Sequence, residues 1–241
     1  MLLQHNPITS VSEYNAACMP HLFEFADYMG MDELAVKPTH LPGKAPYGGE
    51  SVRKILIDAK LAKQKADGID FEQALAVRKE SWRVFENAHK NGKAKYIGVS
   101  NYSAELLEEM ATWAELMPAV NQVEFHPRFA CPKLIKVAEK LGVRLVGYGS
   151  ALSMLMEKNP VIQEIAARTG RPPMQVILRW TAQKGVVTIP KSARPKYQAE
   201  NMESLSGPDL SPADVAAIDA INEDHPYYWL PEATIQTVKV D

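Results

Sequence analysis

A chain of 241 residues can enclose one sizeable core, and its 46% hydrophobic and 23% charged residues are those of a globular protein. The formal net charge of -2 gives no reason to expect nucleic acid or an anionic membrane as partner. Cys18 and Cys131 stand far apart with no metal-ligand residues beside them, and no apolar run reaches the roughly 18 residues of a membrane span. The opening Met1-Leu-Leu-Gln-His5 is too short and too little charged for a signal peptide. A cytoplasmic protein with free thiols and no metal site is the expectation.

In chain order, Leu2-Leu3-Gln4-His5 has the character of the end of a buried strand, closed by the turn signal Asn6-Pro7. Residues 8–79 are the least regular part, because Pro20, Pro38, Pro42 and Pro46, with Gly43, Gly48 and Gly49, interrupt any long element. Two short helical faces stand within it, one of Val52, Ile55, Leu56 and Ala59, the other of Phe71, Ala74, Leu75 and Arg78. Phe23, Phe25, Tyr28, Leu34 and Val36 read as a flap over a core. A segment this long is expected to be a lid or an insertion with its own helices.

From Glu80 the pattern is regular. Residues 80–90 predict a helix ending at Gly92, followed by a strand over 95–101 and a helix from 104. A strand over 119–125 ends at His126-Pro127, a helix over 132–141 ends at Gly142, and 143–148 is the next strand. Helices at 160–169 and 173–184 are separated by Gly170 and Pro172-Pro173. The last strand spans 185–190, and helices near 196–204 and 212–222 follow, the latter capped by Ser211 before Pro212. This alternation predicts βαβ units and a parallel sheet. No Gly-x-Gly-x-x-Gly turn exists, and Gly147-Tyr148-Gly149 lacks the third glycine, so a barrel is preferred to a dinucleotide-binding crevice.

In a parallel barrel the active-site mouth lies at the carboxyl ends of the strands. His5 ends the first strand here, Ser100 and Asn101 the second, Gln122 lies within the third, Tyr148 ends the fourth, and Lys191 and Ser192 follow the fifth. Ser100 and Asn101 offer a hydroxyl and an amide suited to a neutral carboxamide ring, yet a turn followed by a helix cap would use the same residues. A lone histidine at a strand end is more often a hydrogen-bonded core residue, Gln122 could satisfy a neighbour, and Tyr148 could be packing. Their joint placement is what points to a site.

Four stretches carry a specific likeness: Gly-Lys-Ala-Lys-Tyr-Ile-Gly-Val-Ser-Asn (92–101), Val-Asn-Gln-Val-Glu-Phe-His-Pro (120–127), Gly-Val-Val-Thr-Ile-Pro-Lys-Ser (185–192) and Glu200-Asn201. With these, the chain resembles the aldo-keto reductases, an NADPH-dependent (β/α)8-barrel family that reduces aldehydes and ketones. The resemblance covers residues 80–225 and His5-Asn6-Pro7, while 8–79 departs from the family's shorter connection. It implies that Ser100, Asn101 and Gln122 hydrogen-bond the nicotinamide carboxamide and that Tyr148 stacks on its face. It implies further that Lys191 and Ser192 hold the adenosine 2′-phosphate, that Glu200 and Asn201 lie near the adenine, and that His5 orients and polarises the carbonyl. Where the family often places an arginine against the 2′-phosphate, this chain has Tyr197, flanked by Arg194 and Lys196.

The family's acid Tyr, its partner Lys and the Asp that tunes them lie before the histidine, and no residues here match them. Tyr14 and Lys37 follow His5 and are not given those roles. The expectation is thus one α/β domain of (β/α)8 TIM-barrel type over residues 1–241, incomplete at its N-terminal side, with strands 4 to 8 and an atypical insertion at 8–79. NADP(H) is the expected cofactor and a small carbonyl compound the expected substrate. Self-association through open barrel edges is also expected. A non-catalytic nucleotide-binding or interaction module derived from the same family is the alternative.

Overall fold

A computed structural model describes residues 2–5, 71–150, 156–192 and 194–226. The expected flap, the helical face at 52–59, Cys18, and Tyr14 and Lys37 lie outside the described residues. These fall into two compact units, one up to Pro118 and one from Ala119 onward.

In the first unit, strand β1 (Leu2–His5) pairs in parallel with β2 (Ile97–Ser100), with His5 in register with Ser100. Between them runs helix α1 (Phe71–Lys90), and α2 (Ala104–Met110) follows β2. The two helical pieces expected on either side of residue 79 are one helix. No glycine or proline interrupts it, Glu72 sits in its first turn, and His89 and Lys90 sit in its last. Ala74, Arg78, Trp82, Phe85 and Glu86 form its buried stripe, at intervals of three and four residues. That stripe is partly polar, and each of its polar side chains makes at least one hydrogen bond to a neighbouring element. Arg78 meets Glu109 on α2, Trp82 Nε1 donates to the Leu116 carbonyl at 2.9 Å, and Glu86 Oε1 accepts from the Glu115 and Leu116 amides, both at 2.9 Å. Strand β2 is wholly buried and shorter than expected, because Lys95 and Tyr96 are exposed before it and Asn101 turns the backbone after it.

The second unit holds β3 (Val120–Glu124), α3 (Pro132–Lys140), β4 (Arg144–Tyr148) and a 3₁₀ turn (Met156–Lys158). Helices α4 (Pro160–Thr169) and α5 (Pro173–Gln183), strand β5 (Val187–Thr188), and helices α6 (Pro195–Glu203) and α7 (Pro212–Asp219) complete it. Strands β3, β4 and β5 are parallel neighbours, as the alternation of elements requires. The helix starts follow local chemistry. Asn159 accepts from the Val161 amide at 3.0 Å to cap α4, and Ser211 with Asp214 forms a reciprocal capping box on α7.

The core of this unit centres on Phe125 and Trp180, stacked with ring centroids 5.2 Å apart, and Trp180 Nε1 donates to Asp219 at 2.8 Å. Gly147 makes the approach possible: a Cβ there would stand 3.0 Å from Phe125 Cβ and 3.1 Å from Val186 Cγ1. That glycine serves packing rather than a phosphate turn. Strand β5 is shorter than the expected 185–190, since the Val186 amide bonds back to the Thr181 carbonyl at 3.2 Å and Pro190 has no N–H to give.

Candidate cofactor site

In the first unit the candidate residues sit where β1 and β2 end. Ser100 is 1% exposed, and Asn101 follows with φ of +58°, a left-handed conformation that asparagine tolerates better than most residues. The helix cap belongs to neither: Ser103 Oγ accepts from the Leu106 amide at 3.3 Å. Asn101 therefore makes the turn, Ser103 makes the cap, and Ser100 is committed to neither role. The backbone of His5 lies opposite Ser100.

In the second unit, Gln122 is in register with Val146 and Glu124 with Tyr148. Alternate residues of a strand share a face, so Gln122 and Tyr148 lie on the same face of the β3–β4 pair, two positions apart along the strands. Tyr148 is half-buried, and its carbonyl accepts from the Phe125 amide at 2.9 Å, which fixes the strand end that carries it.

Just beyond lies a pair that the sequence reading did not single out. His126 Nε2 stands 3.0 Å from Glu124 Oε1, and both side chains are wholly buried. The turn that follows is closed by the Phe129 amide, which donates to the His126 carbonyl at 2.8 Å. Two charged residue types alternating in Val-Glu-Phe-His-Pro, at the end of an otherwise apolar strand, were the available signal. Cys131 opens α3 with φ of +44°. Burial pushes its thiol well above a cysteine's ordinary value, and the carboxylates of Glu124 and Asp224 push in the same direction. It is a protonated thiol at neutral pH, not a nucleophile.

After β5 the chain carries Lys191, exposed, and Ser192, half-buried, into α6. Ser192 Oγ accepts from the Arg194 amide at 3.2 Å, and the Ser192 carbonyl accepts from Gln198 Nε2 at 2.8 Å, so the loop is tied to the first turns of the helix. No side chain caps the start of α6. Its first amides, the Lys191 ammonium and the Ser192 hydroxyl together suit a phosphate dianion. The Arg194 guanidinium lies 5.5 Å from the centre of the Tyr197 ring, and Lys196 Nζ is 3.7 Å from Glu200 Oε1. Glu200 and Asn201 are half-buried toward the far end of α6. The structure thus brings Lys191, Ser192, Glu200 and Asn201 onto one loop and helix, and Gln122 and Tyr148 onto one strand face. No cluster of His, Cys, Asp and Glu able to hold a metal occurs among the described residues.

The model of the aldo/keto reductase family matches residues 27–223. The chain belongs to the aldo/keto reductase family. The match begins within residues 8–79, the stretch expected to be an insertion. Among relatives, the glyoxal reductase of Bacillus subtilis is 40% identical over 146 residues, covering 61% of this chain and 52% of that protein. A probable NAD(P)H-dependent D-xylose reductase of Aspergillus terreus is 35% identical over 173 residues, 66% of this chain and 53% of its own length. Among solved structures, the aldose reductase from Schistosoma japonicum aligns with a TM-score of 0.60 at 25% identity, covering 66% of this chain and 51% of that one. A Bombyx mori aldo-keto reductase in complex with NADP aligns with a TM-score of 0.58 at 25% identity, over 62% and 52% of the two chains. The chain spans about half the length of the curated relatives it matches. Membership in the aldo/keto reductases makes the fold α/β of the (β/α)8-barrel type, in keeping with the parallel strands and intervening helices. No helix among the described residues is long and apolar enough to cross a membrane.

Proposed function

We propose that this chain carries the cofactor-binding part of an NADP(H)-dependent reductase that converts aldehydes or ketones to alcohols in the cytoplasm. The observation that carries the reading is the loop of Lys191 and Ser192 leading into an uncapped helix start, with Glu200 and Asn201 further along the same helix. A 2′-phosphate needs donors and positive charge in one place, and this loop supplies both. Gln122 supplies an amide and Tyr148 a ring face on one strand surface, suited to the edge and the face of a nicotinamide. Ser100 and Asn101 supply further hydrogen-bonding groups at a strand end, and His5, in register with Ser100, is the group that would orient the carbonyl. The bound nicotinamide supplies the hydride, and this chain's part is to hold and orient it. The NADP complex of the Bombyx mori relative and the NAD(P)H-dependent relatives support this choice of cofactor.

The reading extends to self-association. Val187 and Ile189, on and beside the outer strand β5, are 47% and 42% exposed, an apolar edge suited to a second copy. Analytical ultracentrifugation of Val187→Lys/Ile189→Lys should give a smaller species than wild type, and identical distributions would remove the edge as the interface.

Fluorescence titration with NADPH and NADH tests the main reading. Lys191→Ala should weaken NADPH about tenfold or more, the scale of one charge-assisted contact, and leave NADH nearly unchanged. Equal loss for both cofactors would show that Lys191 does not face the 2′-phosphate.

A further inference from the structure

Arg171, Gln175, Arg179 and Gln183 recur at intervals of four residues, the last three along one face of α5 and Arg171 just before its N-cap, Pro172. Three of them grip the loop after α6. Arg171 donates to the carbonyls of Ser206 at 3.0 Å and Pro208 at 2.8 Å, and Arg179 to those of Leu205 at 2.7 Å and Gly207 at 2.9 Å. Gln183 Nε2 donates to the Leu210 carbonyl at 3.1 Å, and Gln183 Oε1 accepts from the Leu210 amide at 2.9 Å. Gln175, 7% exposed, reaches α6 itself: its Nε2 donates to the Glu200 carbonyl at 2.9 Å and stands 3.4 Å from Glu203 Oε2.

Helix α6 has no buried residue of its own, so apolar packing does little to fix it. The Glu200 carbonyl is one of the last four of the helix, which lack partners within it, and the Ser204 amide goes instead to Asn201, at 3.3 Å. Gln175 thus supplies from another helix the donor that α6 cannot supply. We propose that Gln175 is a positioning residue for the adenosine end of the cofactor, fixing through the Glu200 carbonyl where Glu200 and Asn201 stand. This rests on the reading of those two residues as adenine contacts.

Calorimetric titration of the full chain with 2′,5′-ADP and with 5′-ADP, alongside thermal unfolding, provides the test. Gln175→Met keeps the length of the side chain and removes the donor. It should weaken both nucleotides by the same factor, about three- to tenfold, because adenine is common to them. Lys191→Ala should weaken 2′,5′-ADP alone, and Gln183→Met, which releases only the loop, should leave both affinities unchanged. Should Gln175→Met fail to fold, Gln175→Asn, too short to reach α6, should give the same equal loss. A lowered unfolding temperature with unchanged affinities would make Gln175 merely structural and overturn the proposal. If Lys191→Ala shows its selective loss and the Gln175 variants show none, only the positioning role falls. If the wild type binds neither nucleotide, the cofactor reading falls with it.

Discussion

Arg78 on α1 and Glu109 on α2, 31 residues apart in sequence, meet as a two-pronged ion pair, Nη2 to Oε2 at 2.6 Å and Nε to Oε1 at 3.3 Å. The arginine side chain is wholly buried and the glutamate nearly so. Removing one partner strands the other's charge in the interior, so Arg78→Ala should cost about 3–5 kcal/mol in urea unfolding. Replacing both, as Arg78→Met/Glu109→Leu, should recover most of that loss, because two apolar side chains need no desolvated charge. A neutral single variant would show that the pair is not sequestered from water.

Gly147 is required by closeness of approach rather than by its backbone angles. The added Cβ of Gly147→Ala would meet Phe125 Cβ at 3.0 Å, an atom next to the backbone that cannot swing aside. Strain of about 1–3 kcal/mol is expected, read as a lowered urea midpoint with an unchanged m-value. Unaltered stability would mean that the Phe125–Trp180 stack relaxes freely.

If Lys191 and Ser192 hold the 2′-phosphate as proposed, Tyr197 on the adjoining helix α6 is within reach of the same group. Arg194 lies over its ring, where the aromatic face holds the guanidinium. Tyr197→Arg should tighten 2′,5′-ADP by about three- to tenfold and leave 5′-ADP unaffected, since only the former carries the extra dianion. Equal tightening of both would locate the gain at the adenine or ribose instead.

Cys131 predicts a pH effect. Its thiol is raised in the folded state by burial first, and then by Glu124 and Asp224. The unfolded chain therefore gives up this proton at a lower pH than the folded chain does. The contribution is fully present below a cysteine's ordinary value and is lost as pH rises above it. Cys131→Ala should lose less stability than wild type between about pH 8 and pH 10. Parallel pH curves for the two proteins would show that the thiolate is tolerated in the fold.

The helix boundaries were legible wherever the chain is punctuated locally. Helices α3, α4 and α5 end within a residue of expectation, because proline opens each of them and α3 and α4 stop beside glycine. Local reading failed where punctuation is weak. Lys79-Glu80 holds no breaker, so the two pieces expected on either side of it are the single helix α1. Strand β5 kept only Val187–Thr188 because backbone bonds to α5 compete with its ladder. The helix start at Ser103 was legible, for Ser103 caps α2, while Asn101 of the Ser100-Asn101 pair makes the turn before it.

The sequence by itself determined the order of strands and helices, the family, and which strand ends carry candidate residues. Those features depend on near neighbours along the chain and on motifs read as written. Only the tertiary structure decided that Arg78 would be buried against Glu109, that Glu124 would be sealed in with His126, and that Gln175 would reach the Glu200 carbonyl. A buried polar group must find a partner, but the path of the chain in space chooses which one, and no periodicity along the sequence records that choice.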